Sequence, residues 1–159
     1  MLILLIVQIF LGGVMSGTKA ALLVNTWPDL NGEMIPKQIF QGSNWNYQNF
    51  NEYEQSSFLV ILIQFLHRGL AYIITAIAGF VLVQILKARY EDKKIYKTYL
   101  LFVGLIGVQV IIGIITLVKS IGVIPVSWGV LHQGVAVLVL SAFVLHYFYV
   151  KYGTTSTTQ

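Results

Sequence analysis

Leu66-His67-Arg68-Gly69-Leu70-Ala71-Tyr72 and Leu131-His132-Gln133-Gly134-Val135-Ala136-Val137 are two versions of one pattern, LHxGxA. Each follows a second shared pattern. Val7-Gln8-Ile9-Phe10-Leu11-Gly12-Gly13 stands ahead of the first, and Val108-Gln109-Val110-Ile111-Ile112-Gly113-Ile114 ahead of the second. The order VQxxxG then LHxGxA therefore occurs twice, and a repeat on this scale decides how the chain is built. All four stretches lie within apolar runs, at about 2–24, 58–86, 99–118 and 126–150.

Each run is long enough for a bilayer-spanning helix, which takes roughly 20 apolar residues. A backbone surrounded by lipid has no outside hydrogen-bond partner, so each run is expected to be helical. The predicted fold is all-α: a four-transmembrane-helix bundle made of two helix hairpins, one domain over 1–159. Repeat one covers about 1–86, with a long loop at 25–57, and repeat two about 99–150. Because the first and third helices run the same way, the repeats are parallel, about an axis along the membrane normal. The two histidines are expected to face each other across that axis.

Composition agrees. Charged residues make up 10% of the chain, against about 25% in soluble domains, which is too few to coat a water-facing surface. A net charge of +4 invites a nucleic-acid reading, but Lys87, Arg89, Lys93, Lys94 and Lys97 cluster in one short link between apolar runs, together with Glu91 and Asp92. That link reads as a cytoplasmic loop under the positive-inside rule, and no nucleic-acid partner is expected. With Lys151 on the same side, and Lys19, Lys37 and Lys119 opposite, both termini are predicted to be cytoplasmic and loop 25–57 outside. The first run also looks like a signal peptide. It lacks the positive start of one and belongs to the repeat, so it reads as a retained helix. Cysteine is absent, which excludes disulfides, thiolate ligands and covalent haem attachment through CxxCH.

Ionisable side chains inside a membrane are costly and face the bundle interior. His67 and His132 enter their helices from the same side at similar depth, and paired imidazoles at one level suit the two axial positions of a haem iron. Gly69 and Ala71, with Gly134 and Ala136, are expected to leave room for the flat ring. The bland alternative is a pair of histidines that only hydrogen-bond between helices. Arg68 is read as a partner for a haem propionate through paired hydrogen bonds, or as a snorkelling or backbone-paired cation. His146 reads as an interfacial histidine beside Tyr147, Tyr149 and Lys151. Loop 25–57, with Trp27, Pro28, Pro36, Trp45, Tyr47, Phe50 and Tyr53, reads as an outer cap or as an interfacial aromatic belt.

On the stretches GGVMSGTKAALLVNTWPDLNGEMIP, QFLHRGLAY, VQVIIGIITL and SWGVLHQGVAVLVL, the sequence resembles the haem A synthases along essentially its whole length. Most members of that family have eight helices in two four-helix units, one holding haem b between two histidines and the other converting a ring methyl of haem O to a formyl group by successive hydroxylations. This chain looks like one unit, and most like the C-terminal, haem b-bearing one. The resemblance implies His67 and His132 as axial ligands of haem b, with haem O or haem A as substrate or product, and a Trp27–Pro28 loop covering the outer edge of the haem. It places the chain in a prokaryotic cytoplasmic membrane. It also implies partners: haem O and water as substrates, the bilayer, and a homo-oligomer or a second four-helix unit. Gly12, Gly13, Ser16 and Gly17 are a candidate surface for close helix contact between copies. Gln64 stands where the family's substrate-binding unit has a catalytic glutamate, so no catalytic residue is assigned. The expected function is haem A synthase-type oxidation of haem O; the alternative is a non-catalytic bis-histidine b-type cytochrome subunit. A chain opening on an apolar helix also fits the back half of a longer protein.

Overall fold

The computed structural model describes residues 1–53, 55–87 and 92–153, so Glu54, Arg89 and Glu91 lie outside the described residues. The described chain is helical, with a single isolated bridge between Leu30 and Glu33 and no strand. Helix α1 (Leu2–Gly17) is apolar apart from Gln8 and Ser16 and stops well before the end of its apolar run. Thr18 turns its hydroxyl back onto the Val14 carbonyl at 2.9 Å, and Lys19 takes φ 51°, a left-handed conformation that side chains other than glycine seldom adopt. The chain then resumes as α2 (Ala20–Leu23). The continuous first helix expected at 2–24 is thus a broken one. At 1.5 Å per residue α1 alone reaches about 24 Å, short of a hydrocarbon core of about 30 Å.

After a short α3 (Tyr47–Asn51), three long helices follow: α4 (Ser57–Lys87), α5 (Lys93–Val118) and α6 (Val126–Tyr152). These three are long and apolar enough to cross a membrane. Helix α5 begins six residues earlier than the apolar run because Asp92 caps it, its carboxylate accepting from the Lys94 and Ile95 amides at 2.8 and 3.2 Å. Such a cap satisfies amides that the first helical turn cannot pair internally.

The most extensive packing joins α5 to α6, followed by α1 to α4. The core between the helices holds Leu5, Ile74, Ala78, Phe102, Ile106, Ile112, Val135 and Val139. Tyr99 lies in the same core and meets its polar need by donating its hydroxyl to the Ala78 carbonyl at 2.8 Å. Asn25 donates to the Ser120 carbonyl at 3.2 Å, which brings the start of the long loop to the α5–α6 connection. Lys19, Lys37 and Lys119 therefore share one end of the helices, while Lys87, Lys93, Lys94, Lys97 and Lys151 gather at the other.

Residues 25–53 fold on themselves. Trp45 packs edge-on against Phe58 with ring centres 5.3 Å apart, and its indole donates to the Ile39 carbonyl at 2.8 Å. Asn46 caps α3 through the Asn49 amide, and the Asn49 side chain donates to the Asn44 carbonyl. This internal bonding is what a cap needs, while Phe40, Tyr47, Phe50 and Tyr53 stay exposed as a belt would have them. Replacing Trp45 by Ala should open this segment without melting the helices. Limited trypsin digestion would then cut after Lys37 several times faster, with the thermal melt of the helical signal unchanged.

Candidate functional site at the paired histidines

Helix α4 carries His67 ten positions after Ser57, and α6 carries His132 six positions after Val126, so both imidazoles enter from the end that bears the long loop. The two are near enough to interact electrostatically. Each ring is held by the earlier helix of its own pair. The Gln8 amide nitrogen lies 3.2 Å from Nε2 of His67, and that of Gln109 lies 3.3 Å from Nε2 of His132. The glutamine and histidine of the repeated pattern are thus contact partners in both copies. Sequence reading registered the VQxxxG repeat but gave the glutamine no role; its fixed place in both repeats was the available signal.

The repeated glycine has a steric role. A Cβ at Gly12 would come within 3.3 Å of the His67 ring, and one at Gly113 within 2.8 Å of the His132 ring. The room beside each imidazole therefore comes from the neighbouring helix. Gly69 and Gly134, expected to leave room for the flat ring, look onto open space and lie about 200° round the helix from their histidines. Gly13 and Gly17 also look onto open space.

Nδ1 of His67 and Nδ1 of His132 are both buried without a hydrogen-bond partner. Buried polar groups are ordinarily paired, and two orphaned imidazole nitrogens from two helices of one bundle are the donor set a haem iron takes from protein. The residues present fit that group. No cluster of three His, Cys, Asp or Glu suited to a metal ion occurs among the described residues, but two axial imidazoles do not require one.

Arg68 is turned to the loop. Its guanidinium donates to the carbonyls of Thr26 at 2.9 Å, Asp29 at 2.7 Å and Val24 at 3.3 Å, and to the Gln64 side-chain oxygen. Of the two roles read from sequence, the backbone-paired cation describes this arrangement; the propionate role has only the unpartnered Nε left to it. The Thr26 hydroxyl and the Gly32 amide hold the Asp29 carboxyl below its ordinary value, so a negative charge persists beside Arg68.

Gln64, at the position where the resemblance puts a glutamate, is fully buried and donates to the carbonyls of Ala20 at 2.7 Å and Val24 at 2.9 Å. Each of these carbonyls has a second donor, the Val24 amide for Ala20 and Arg68 for Val24. Trp27 lies in the turn clasped by Arg68, joined to Pro28 by a cis peptide bond, with its side chain exposed. His146 stands apart from the paired histidines, bonded through Nδ1 to the Thr98 hydroxyl at 3.1 Å and packed on Tyr99.

No solved structure matches the chain. The family model COX15-CtaA, described as cytochrome oxidase assembly protein, matches residues 1–144. Relatives named "Heme A synthase" include one from Rhizobium meliloti (strain 1021), 37% identical over 88% of this chain and 35% of its own length. Another, from Sinorhizobium fredii (strain NBRC 101917 / NGR234), is 38% identical over 88% of this chain and 35% of its own length. One from Brucella anthropi is 35% identical over 89% of this chain and 37% of its own length. The chain spans about a third of the length of these curated relatives. Repeat, helices and similarity agree on one conclusion: this chain belongs to the COX15-CtaA family of cytochrome oxidase assembly proteins.

Proposed function

We propose that this chain is a haem-binding membrane unit of haem A synthesis, with His67 and His132 as axial ligands of one haem b. The observation that carries the proposal is the duplicated arrangement of a glutamine-held, glycine-backed imidazole with its second nitrogen buried and unpartnered. In this reading α1 with α2 is a fourth membrane segment, and the pairings of α1 with α4 and of α5 with α6 are two parallel hairpins. The termini and the basic link face the cytoplasm of a prokaryotic cell, and loop 25–57 faces out.

When bound, haem b supplies a one-electron redox centre. The protein's part is to hold both imidazoles, to keep water out, and to fold the Arg68-clasped turn with Trp27 over the outer end of α4. One bis-histidine site cannot hold cofactor and substrate together. Conversion of the haem O methyl to a formyl group by successive hydroxylations, with water as the oxygen source and four electrons passed to an external electron acceptor, would thus proceed in a homo-oligomer or with a second four-helix unit. A second reading, a non-catalytic b-type cytochrome, is favoured by Gln64, whose amide is committed to loop carbonyls and offers no carboxylate.

The chain purified after coexpression with a haem O supply should carry a low-spin pigment, and solvent extraction should yield haem A or a hydroxylated intermediate. Extraction of haem b alone would favour the cytochrome reading. A low-spin pigment that survives in the His67→Ala, His132→Ala double variant would sink both.

Gln64→Glu would replace two donated hydrogen bonds by a carboxylate facing carbonyls. The Ala20 and Val24 carbonyls keep their other donors, the Val24 amide and Arg68, but a buried carboxylate oxygen left unpaired against them costs about 1–3 kcal/mol, and the attraction to Arg68 offsets part of this. The expected result is a lower melting temperature in detergent with no gain of haem A.

At the glycines, Gly113→Ala should displace the His132 ring and cut haem content several-fold, Gly12→Ala should do so less, and Gly134→Ala should leave it unchanged. Pigment-to-protein ratios of the three purified variants check that order.

A further inference from the structure

The two glutamine–histidine pairs look alike in sequence but are not bonded alike. Gln109 makes one side-chain contact, to Nε2 of His132. Gln8 makes two from the same amide nitrogen, to Nε2 of His67 at 3.2 Å and to the His67 backbone carbonyl at 3.1 Å. An amide nitrogen only donates, so a glutamine held in this way claims the lone pair of Nε2 and leaves the imidazole proton on Nδ1. The orientation of Gln109 is free to reverse. Turned end over end it gives up no other bond, and its oxygen, otherwise buried without a partner, accepts the proton on Nε2. The lone pair of Nδ1 is then released. The same turn of Gln8 would break its bond to the His67 carbonyl and bring two oxygens together at the 3.1 Å contact. Packing adds to the difference. The His132 ring sits closer to its glycine, 2.8 Å from an added Cβ against 3.3 Å for His67, and belongs to the more extensive helix pair.

We infer that the two histidines are unequal ligands: His132, whose glutamine can turn to release a lone pair, is the fixed one, and His67, for which Gln8 competes, is the exchangeable one. The inference rests on the haem-binding reading above. It makes the His67 side the position where a small external ligand, such as carbon monoxide or cyanide, enters. Gln8 and Gln109 are positioning residues in this scheme, since they act through the imidazoles.

The test compares the two sides in purified protein. His67→Ala should retain haem, turn it high-spin and let the reduced form bind carbon monoxide, whereas His132→Ala should lose haem tenfold or more. In the chain with both histidines, Gln8→Leu should slow carbon monoxide binding about fivefold, roughly the worth of one lost competing hydrogen bond. Gln109→Leu should not slow it, and the Gln8→Asn variant should fall between. Equal behaviour of the two histidine variants, or a Gln8→Leu protein as reactive as its parent, would overturn the inequality while leaving haem binding intact. Full low-spin pigment in both histidine variants would instead overturn the haem-binding reading. The glutamine variants keep the question open to measurement should a histidine variant fail to fold.

Discussion

A polar side chain placed within an apolar bundle has to find its partner inside the bundle, because lipid offers none. That constraint organises the site. Gln8, Gln109, His67 and His132 pair across neighbouring helices, and the close approach that pairing needs is available because Gly12 and Gly113 have no side chain to intrude. Interhelical hydrogen bonds in membranes contribute only about 0.6 kcal/mol each on average. Their importance here is geometric: they fix which edge of each imidazole is committed and which nitrogen is left over.

The same constraint explains the broken first helix. Interrupting α1 at Thr18 and Lys19 leaves the Val24 carbonyl beyond α2 without a helical partner, and the buried side chains of Gln64 and Arg68 supply its donors, Gln64 adding a second bond to the Ala20 carbonyl that the Val24 amide already reaches. Both come from α4, one turn apart, on the face that meets α2. Arg68 continues the arrangement into the loop by gathering the carbonyls of Thr26 and Asp29. A cation buried next to a histidine ligand candidate thereby becomes the anchor of the outer segment. The position that reads from sequence as a lost catalytic carboxylate is, in the folded chain, a support for the break in the backbone.

Family membership and the duplicated motif reinforce each other without saying the same thing. The relatives match nearly all of this chain but are about two and a half times its length, so similarity supplies the membrane haem context, while the contacts support the roles proposed within it. The unequal bonding of Gln8 and Gln109 shows why the two halves of an internal repeat need not do equal work: one extra backbone contact suffices to separate them.

Much was legible in the sequence because it depends on local pattern. Apolar runs at 58–86 and 126–150 became α4 and α6 nearly as bounded, since length and apolarity leave a lipid-facing chain little choice but helix. The repeat singled out His67 and His132 without any contact being known. Three-dimensional packing decided the rest. Whether Arg68 faced the loop or the ring space, whether Gln64 faced a ligand or a backbone, and which glycines made room for the imidazoles all depend on the rotation of each helix about its axis and on its neighbour. A periodic apolar sequence leaves that rotation almost undetermined, because a helix apolar on every side can turn any face inward until a buried polar atom finds its partner.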